Sequence, residues 1–94
     1  MTIRERFGRG LQHARKRLEL TQEDFSTVSS RTYLSSLQRG IKSPTIDKLE
    51  QLASVLGVHP VALLAMAYIS DEGEDVEKLL DQVRSDLSAM IGRQ

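Results

Sequence analysis

The sequence predicts an all-α protein, and three observations support this fold class. Apolar residues recur at intervals of three and four along several segments, as on the buried face of a helix. Serine, threonine, glycine and proline separate these segments, and no segment has the alternating, β-branched pattern of a strand. The length of 94 residues, with 39% hydrophobic and 28% charged residues, fits one folded domain with a single core.

Capping residues predict the first two helices. Thr2 and Glu5 have the spacing of a capping box at the start of a helix over residues 3–18. Thr21 can cap a short second helix over residues 22–28, where two acidic residues lie in the positive first turn. A short connection therefore joins the two helices.

Caps and glycines also bound the third and fourth helices. A third helix over residues 30–38 follows a pair of serines and ends before Gly40, since glycine readily adopts the left-handed conformation of a helix end. A fourth helix over residues 46–56 follows Thr45 and ends before Gly57. Its apolar residues form one amphipathic stripe, which predicts a single core-facing side.

The last part of the chain predicts two helices of different character. The fifth, over residues 60–69, begins at Pro60 and is apolar all round, so both of its sides require cover. An acidic hinge containing Gly73 precedes the sixth, over residues 74–92, whose apolar residues recur at steps of 4, 3, 4 and 3. Sustained coiled coils show about three or four such heptads, and this pattern is shorter. The sixth helix is expected in a dimer interface or packed on the fifth, rather than in a two-stranded zipper.

Composition argues against most catalytic and cofactor chemistry. The chain has no cysteine, and its two histidines, His13 and His59, are far apart in sequence, so no metal site or nucleophilic triad is predicted. The Gly8-Arg9-Gly10 segment lacks the third glycine and the preceding strand of a phosphate-binding loop. The acids of the hinge are expected to be solvated, because a surface segment cannot desolvate them. No enzymatic activity and no cofactor are therefore expected.

Hydropathy predicts neither a membrane segment nor a signal region. The longest apolar run covers residues 61–69, far short of the roughly 20 residues that span a bilayer. The first residues lack the apolar stretch of a secretory signal. We therefore expect a bacterial-type cytoplasmic protein that does not bind a membrane.

Charge is distributed unevenly along the chain. The 13 basic and 13 acidic residues cancel overall, but residues 1–48 carry ten cations and five anions, which leaves −5 on the remainder. Such asymmetry is expected where one end of a chain meets a polyanion. Two solvated faces with a chance imbalance would produce the same composition.

Residues 20–40 have the pattern of a DNA-reading helix-turn-helix, with two short, closely joined helices and a glycine after the second. They include Leu-Thr-Gln-Glu-Asp-Phe from residue 20 and Ser-Arg-Thr-Tyr-Leu-Ser-Ser-Leu-Gln-Arg-Gly from residue 30. With Ser43-Pro44 and the leucines downstream, residues 5–66 resemble the phage-repressor and Cro helix-turn-helix family, also called the xenobiotic-response-element (XRE) family. The resemblance implies a lambda-repressor-like five-helix domain over residues 1–69, followed by the hinge and C-terminal helix over residues 70–94.

This resemblance implies a sequence-specific DNA-binding transcriptional regulator. It is expected to be a repressor that binds double-stranded DNA as a homodimer on an inverted repeat, with the third helix in the major groove. The alternative is an antitoxin-like or adaptor protein whose last two helices bind a protein partner. The candidate dimer contacts are Leu63, Met66, Ile69, Val76, Leu80, Val83, Leu87 and Met90.

The resemblance and the helical rotation together indicate the DNA contacts. Arg31 matches a base-reading position of the family, and its guanidinium can bond guanine bidentately. The alternatives for Arg31 are a phosphate contact or a solvated surface role. Tyr33 is expected either to contact a phosphate or to pack on the domain. Arg39 and Lys42, after the third helix, are expected either to contact phosphates or to be solvated. The candidate base-reading residues are Arg31, Thr32, Ser35 and Ser36, and the candidate phosphate ligands are Gln22, Ser30, Tyr33, Arg39, Lys42 and Arg17.

The connection between the second and third helices departs from the family pattern. From Thr21 to Gly40 the spacing is 19 residues, shorter than the family usually has, and the connection lacks the family's glycine. The first residue of the third helix is therefore open among Ser29, Ser30 and Arg31.

A second departure concerns Gln38, where the family commonly has a glutamate that pairs with an arginine matching Arg15. Gln38 offers only a neutral hydrogen bond. If Arg15 is partly buried, loss of the carboxylate costs stability, because a buried charge needs a partner. Otherwise Arg15 turns outward, towards a phosphate.

Overall fold

A computed structural model of the protein describes residues 1–69 and 75–92. These residues form five α-helices and two short 3₁₀ helices, and none of them lies in a strand. The all-α prediction is confirmed, whereas the predicted acidic hinge lies outside the described residues. In chain order the elements are α1 (Ile3–Arg17), a 3₁₀ helix (Gln22–Phe25), α2 (Arg31–Gln38), α3 (Ile46–Leu56), α4 (Pro60–Ala65), a second 3₁₀ helix (Met66–Tyr68) and α5 (Asp75–Ile91).

One apolar core joins helices α1 to α4 and both 3₁₀ helices. Helix α1 packs on α2 and on the second 3₁₀ helix, and α3 packs on α4 and on the first 3₁₀ helix. Helix α5 contributes no buried residue. The buried apolar side chains are Phe7, Leu11, Phe25, Leu34, Leu37, Leu52, Ala53, Leu56, Leu63 and Ala67.

The predicted capping box at the start of α1 is formed. The backbone N–H of Thr2 donates to the Glu5 carboxylate at 2.7 Å, and the N–H of Glu5 donates to the Thr2 hydroxyl at 3.1 Å. The hydrogen bond from the Thr2 backbone holds the pKa of Glu5 below its ordinary value, and the Thr2 side chain acts in the same direction. Because the folded pKa is depressed, this cap stabilises α1 at neutral pH and is lost as the pH falls through the folded pKa.

The predicted second helix, over residues 22–28, is shorter than its pattern suggests. It ends at Phe25, whose side chain is buried in the core. The N–H groups of Val28 and Ser29 both donate to the Phe25 carbonyl, at 3.0 and 2.9 Å, and close the chain into a turn. The helix cannot extend further because the chain must reverse before α2 begins at Arg31.

Helix α4 faces the core on one side only. Leu63 is 1% exposed within the core, so the prediction that it lies in a dimer interface is wrong, because a side chain enclosed by its own protomer offers no surface to a partner. The opposite side carries Val61 and Leu64, which are 57% and 40% exposed, and Tyr68 of the following 3₁₀ helix is 51% exposed. Part of the apolar surface of the predicted fifth helix is thus left exposed.

Gly8 allows α1 and α2 to approach closely. A Cβ atom at Gly8 would lie 2.4 Å from the carbonyl oxygen of Leu37 and 2.5 Å from that of Gln38. No other residue type fits there without separating the two helices, because the clash is with backbone atoms that cannot rotate away. Gly8 therefore determines how α2 lies on the domain, a role that its sequence context did not indicate.

A non-glycine residue takes the left-handed conformation at the end of α1. Glu19 has φ of 60°, and the following N–H of Leu20 donates to the Arg15 carbonyl at 2.9 Å, as in a Schellman motif. Glycine is usual at such a position because a Cβ there is strained.

We expect Glu19→Gly to raise the free energy of unfolding by about 0.5–1 kcal/mol, since relief of the left-handed strain exceeds the added entropy of the unfolded chain. Urea unfolding of both proteins measures the difference. Lys16→Gly is the control, because Lys16 is an exposed residue inside α1, where glycine lowers stability by about 1 kcal/mol. Equal losses in both variants would contradict the strain at Glu19.

No single helix in the described part of the chain is long and apolar enough to cross a membrane. Only α3 taken together with the segment Pro60–Tyr68 reaches the required length and hydropathy, and the two are bent by 100°. Among residues 1–69 and 75–92, no group of three His, Asp or Glu side chains is arranged to hold a metal ion.

Candidate nucleic-acid interface

Helix α2 begins at Arg31, the last of the three residues at which the sequence allowed it to start. Ser30 is the N-cap, and its hydroxyl accepts a hydrogen bond from the N–H of Tyr33 at 3.1 Å. Arg31 is therefore the first helical residue, at the end of α2 where backbone N–H groups and the helix dipole favour an anion.

Lys48 on α3 braces the connection that lacks a glycine. Its ammonium group donates to the carbonyl of Val28 and lies 5.5 Å from the centre of the Tyr33 ring. These contacts tie the turn, the first turn of α2 and α3 together, so the start of α2 is held without the family's usual glycine. Sequence reasoning counted Lys48 only as a cation, and its role depends on contacts across 20 residues.

Tyr33 packs at the edge of the domain, as one of its two predicted roles required. Its ring is half-buried against the core and is covered by Lys48. The phosphate contact stays a prediction for its hydroxyl group.

Arg15 turns inward rather than towards solvent. It is half-buried, its Nε donates to the Gln38 side-chain oxygen at 3.1 Å, and its guanidinium also donates to the Leu20 carbonyl at 3.0 Å. Gln38 in turn donates to the Leu34 carbonyl at 3.4 Å. A neutral amide thus takes the place of the family's carboxylate, and the contact still joins α1 to the end of α2.

The outward face of α2 is polar along its length. Arg31 and Thr32 are exposed and Ser35 and Ser36 are half-buried, while the leucines of the same helix lie in the core. All four candidate base-reading residues therefore belong to one short helix with a polar outer surface. Their side chains can donate to and accept from base edges, and the threonine methyl can contact a thymine methyl.

Arg31 makes only a loose contact in the free protein. Its guanidinium lies 3.9 Å from the Glu23 carboxylate, and both side chains are 78% exposed. An ion pair this exposed contributes roughly 0–1 kcal/mol. The guanidinium is free to exchange this partner for another, and Glu23 is a neighbour that sequence reasoning did not include.

Gln22 opens the first 3₁₀ helix next to α2. It is half-buried, and its side-chain oxygen is buried without a hydrogen-bond partner in the described part of the structure. The remaining candidate phosphate ligands, Arg17, Arg39 and Lys42, are exposed. The N–H groups of Ile41 and Lys42 approach the Ser36 carbonyl at 2.9 and 3.4 Å, which keeps Lys42 beside the end of α2.

These features define a small helix-turn-helix domain with an exposed polar second helix. A helix-turn-helix family model matches residues 11–63. The chain therefore belongs to the helix-turn-helix family of transcription regulators, which is not a family of enzymes.

Two related proteins and one solved structure support this assignment. A helix-turn-helix transcriptional regulator of Sinorhizobium fredii, itself uncharacterised, is 41% identical over 66 residues, covering 68% of this chain and 86% of the relative. The immunity repressor protein of Bacillus phage phi105 is 28% identical over 96 residues, covering 90% of this chain and 67% of that protein. The crystal structure of the clp gene regulator ClgR from C. glutamicum is similar with a TM-score of 0.66 and 25% identity, covering 77% of this chain and 99% of that chain.

Proposed function

We propose that this protein is a transcriptional repressor that binds an inverted-repeat operator as a homodimer, with α2 in the major groove. The observation that carries the proposal is the polar outward face of α2, which begins with Arg31. Lys48 holds the turn before α2, and Gly8 allows α1 to approach α2 closely. A rigid helix with short polar side chains and one long cation suits base reading, because its position on the domain does not depend on the DNA. The similarity to a phage immunity repressor favours repression over activation.

Base reading is assigned to four residues of α2. Arg31 donates two hydrogen bonds to O6 and N7 of a guanine. Thr32, Ser35 and Ser36 contact neighbouring base edges, where short hydroxyl groups discriminate less strongly.

Phosphate contacts surround this helix. Gln22 donates from its amide nitrogen at the start of the 3₁₀ helix, where free N–H groups favour an anion. Residues near both ends of α2 contact the DNA phosphates. These contacts fix the position of the protein along the duplex but do not read its sequence. These phosphate ligands are Gln22, Ser30, Tyr33, Arg39, Lys42 and Arg17.

Dimerisation uses the apolar surface that the protomer leaves exposed. Val61, Leu64 and Tyr68 on the α4 side are exposed, although none was among the predicted contacts. Together with the stripe on α5, they offer a second copy an apolar face that would bring two α2 helices into successive major grooves, about 34–36 Å apart. The predicted contacts that remain are Met66, Ile69, Val76, Leu80, Val83, Leu87 and Met90.

Selection of random duplex DNA by the purified protein at physiological salt, followed by sequencing, tests this function. Enrichment of a two-fold repeat is expected, and its spacing reports the distance between the α2 helices. Retention of DNA without any shared motif would contradict sequence-specific binding.

Binding is also expected to weaken steeply with salt. If the dimer neutralises about 4–6 phosphates, the logarithm of the binding constant falls with the logarithm of the salt concentration at a slope of roughly −4 to −5. Lys42→Ala should reduce the magnitude of this slope and weaken all sequences alike. Titrations of one operator at several salt concentrations measure the slope, and a slope near zero would exclude the phosphate contacts.

A second candidate function rests on the same exposed apolar surface. Helices α4 and α5 could bind a different protein, as in an antitoxin or adaptor, with DNA binding secondary. A chain that stays monomeric when purified and enriches no DNA motif would favour this candidate.

A further inference from the structure

Helix α5 carries an apolar stripe that its own protomer covers only in part, since Val76 and Val83 are half-buried. The helix has 17 residues, none buried, and both Leu80 and Leu87 are 47% exposed. With Val76 and Val83 they recur at heptad spacing, so the four side chains lie in one line along the helix. Covering such a stripe with a second surface is favourable, because it removes apolar area from water.

The two flanks of this stripe carry different residues. Glu77 and Arg84 are two turns apart and lie on one flank, whereas Leu79 and Asp86 lie on the other. The only ion pair described for Arg84 is with Asp81 at 2.9 Å, within the same helix and with both side chains exposed, so it contributes little and can exchange.

These flanks distinguish the two ways in which α5 can pair with a second α5. A parallel pair places opposite flanks together, which sets Leu79 against the partner's Arg84 and leaves its charge without an acid. An antiparallel pair places equal flanks together, so Leu79 lies beside the partner's Asp86 and the preference comes from the other flank. It brings Glu77 beside the partner's Arg84, and the two-fold axis repeats the contact.

We propose that α5 forms an antiparallel pair with α5 of a second copy of this chain. In the register that the charges favour, Leu80 packs against the partner's Val83 and Val76 against the partner's Leu87. The two symmetric contacts between Glu77 and the partner's Arg84 set the direction of pairing. This proposal rests on the proposed homodimer and specifies its geometry.

The partner that covers the stripe of α5 is a second copy of this chain, because the charges on the flank of α5 are complementary to themselves. One flank holds an acid and a base at a separation that satisfies both across a two-fold axis, which a different partner would have no reason to match. In this register the last turn of α5, with Met90 and Ile91, extends past the first turn of the partner's α5. These two side chains are 74% and 62% exposed in the protomer.

Charge reversal in the full-length chain tests the pairing. Glu77→Arg and Arg84→Glu each turn two attractive contacts into two repulsive ones, and each is expected to weaken homodimerisation roughly tenfold. A mixture of the two variants should form a heterodimer with about wild-type affinity, because each Arg then faces a Glu. Sedimentation equilibrium without DNA measures all three constants.

Lys78→Glu is the matched control, because it makes the same change of charge as Arg84→Glu on the side of α5 away from the stripe. It should leave the dimer constant within about twofold. Circular dichroism of each variant reports whether α5 stays helical.

The outcomes separate this proposal from the proposed function. A wild-type dimer with no preference for the mixed pair would overturn the antiparallel geometry and leave the homodimeric repressor intact. A wild-type chain that remains monomeric at all concentrations would overturn both the pairing and the homodimer. Preferential formation of the mixed dimer supports the pairing whether or not an operator is found.

Discussion

Replacing Gly8 with alanine is expected to lower the free energy of unfolding by about 2–3 kcal/mol, a large part of the stability of a domain of this size. The added Cβ would lie 2.4 and 2.5 Å from two carbonyl oxygens of α2. Relief requires α1 and α2 to separate, which opens the core, and the higher helix propensity of alanine offsets only about 1 kcal/mol of that cost. Urea unfolding measures the loss.

Gly57→Ala is the matched control for this prediction. Gly57 has φ of 75° and no heavy atom within 4 Å of an added Cβ, so its variant has backbone strain without a clash. We expect it to cost about 1 kcal/mol. A smaller loss for Gly8→Ala than for Gly57→Ala would show that the contact between α1 and α2 is looser than described. Any folded Gly8 variant should also bind DNA more weakly, because its α2 is displaced.

Replacing Arg31 with alanine is expected to reduce discrimination between operator and non-operator DNA by about 1–3 kcal/mol, the contribution of a bidentate arginine–guanine contact. The loss should concentrate at one base pair of each half-site. Stability should change little, because the side chain is 78% exposed and its contact to Glu23 is long. Competition titrations with single-base operator variants measure the effect.

Lys42→Ala provides the comparison for Arg31→Ala. Both substitutions remove one exposed cation beside α2, but a phosphate ligand reads no sequence, so Lys42→Ala should weaken every duplex by a similar factor. If both variants changed all sequences equally, Arg31 would be a phosphate ligand, as one of its alternatives held.

The sequence by itself determined where most helices begin and end. The Thr2 and Thr45 hydroxyl groups accept hydrogen bonds from N–H groups three residues later, and Gly57 ends α3 in the left-handed conformation. Helix caps are local, because a cap needs only the residues beside it. They can therefore be predicted from the sequence without the fold. The helix-turn-helix pattern could be recognised for the same reason, because it lies within residues 20–40.

Only the tertiary structure decided how those helices meet. In the sequence, Gly8 belongs to a segment that lacks the pattern of a phosphate-binding loop, and only the fold brings it against the carbonyl groups of α2. Lys48 is one of many cations in the sequence, and only the fold brings it to the Val28 carbonyl. Leu63 and Val61 are equally apolar in sequence, yet one is buried and the other is 57% exposed. Contacts between distant segments depend on the packing of the whole core, and no local pattern encodes which side of an apolar helix faces it.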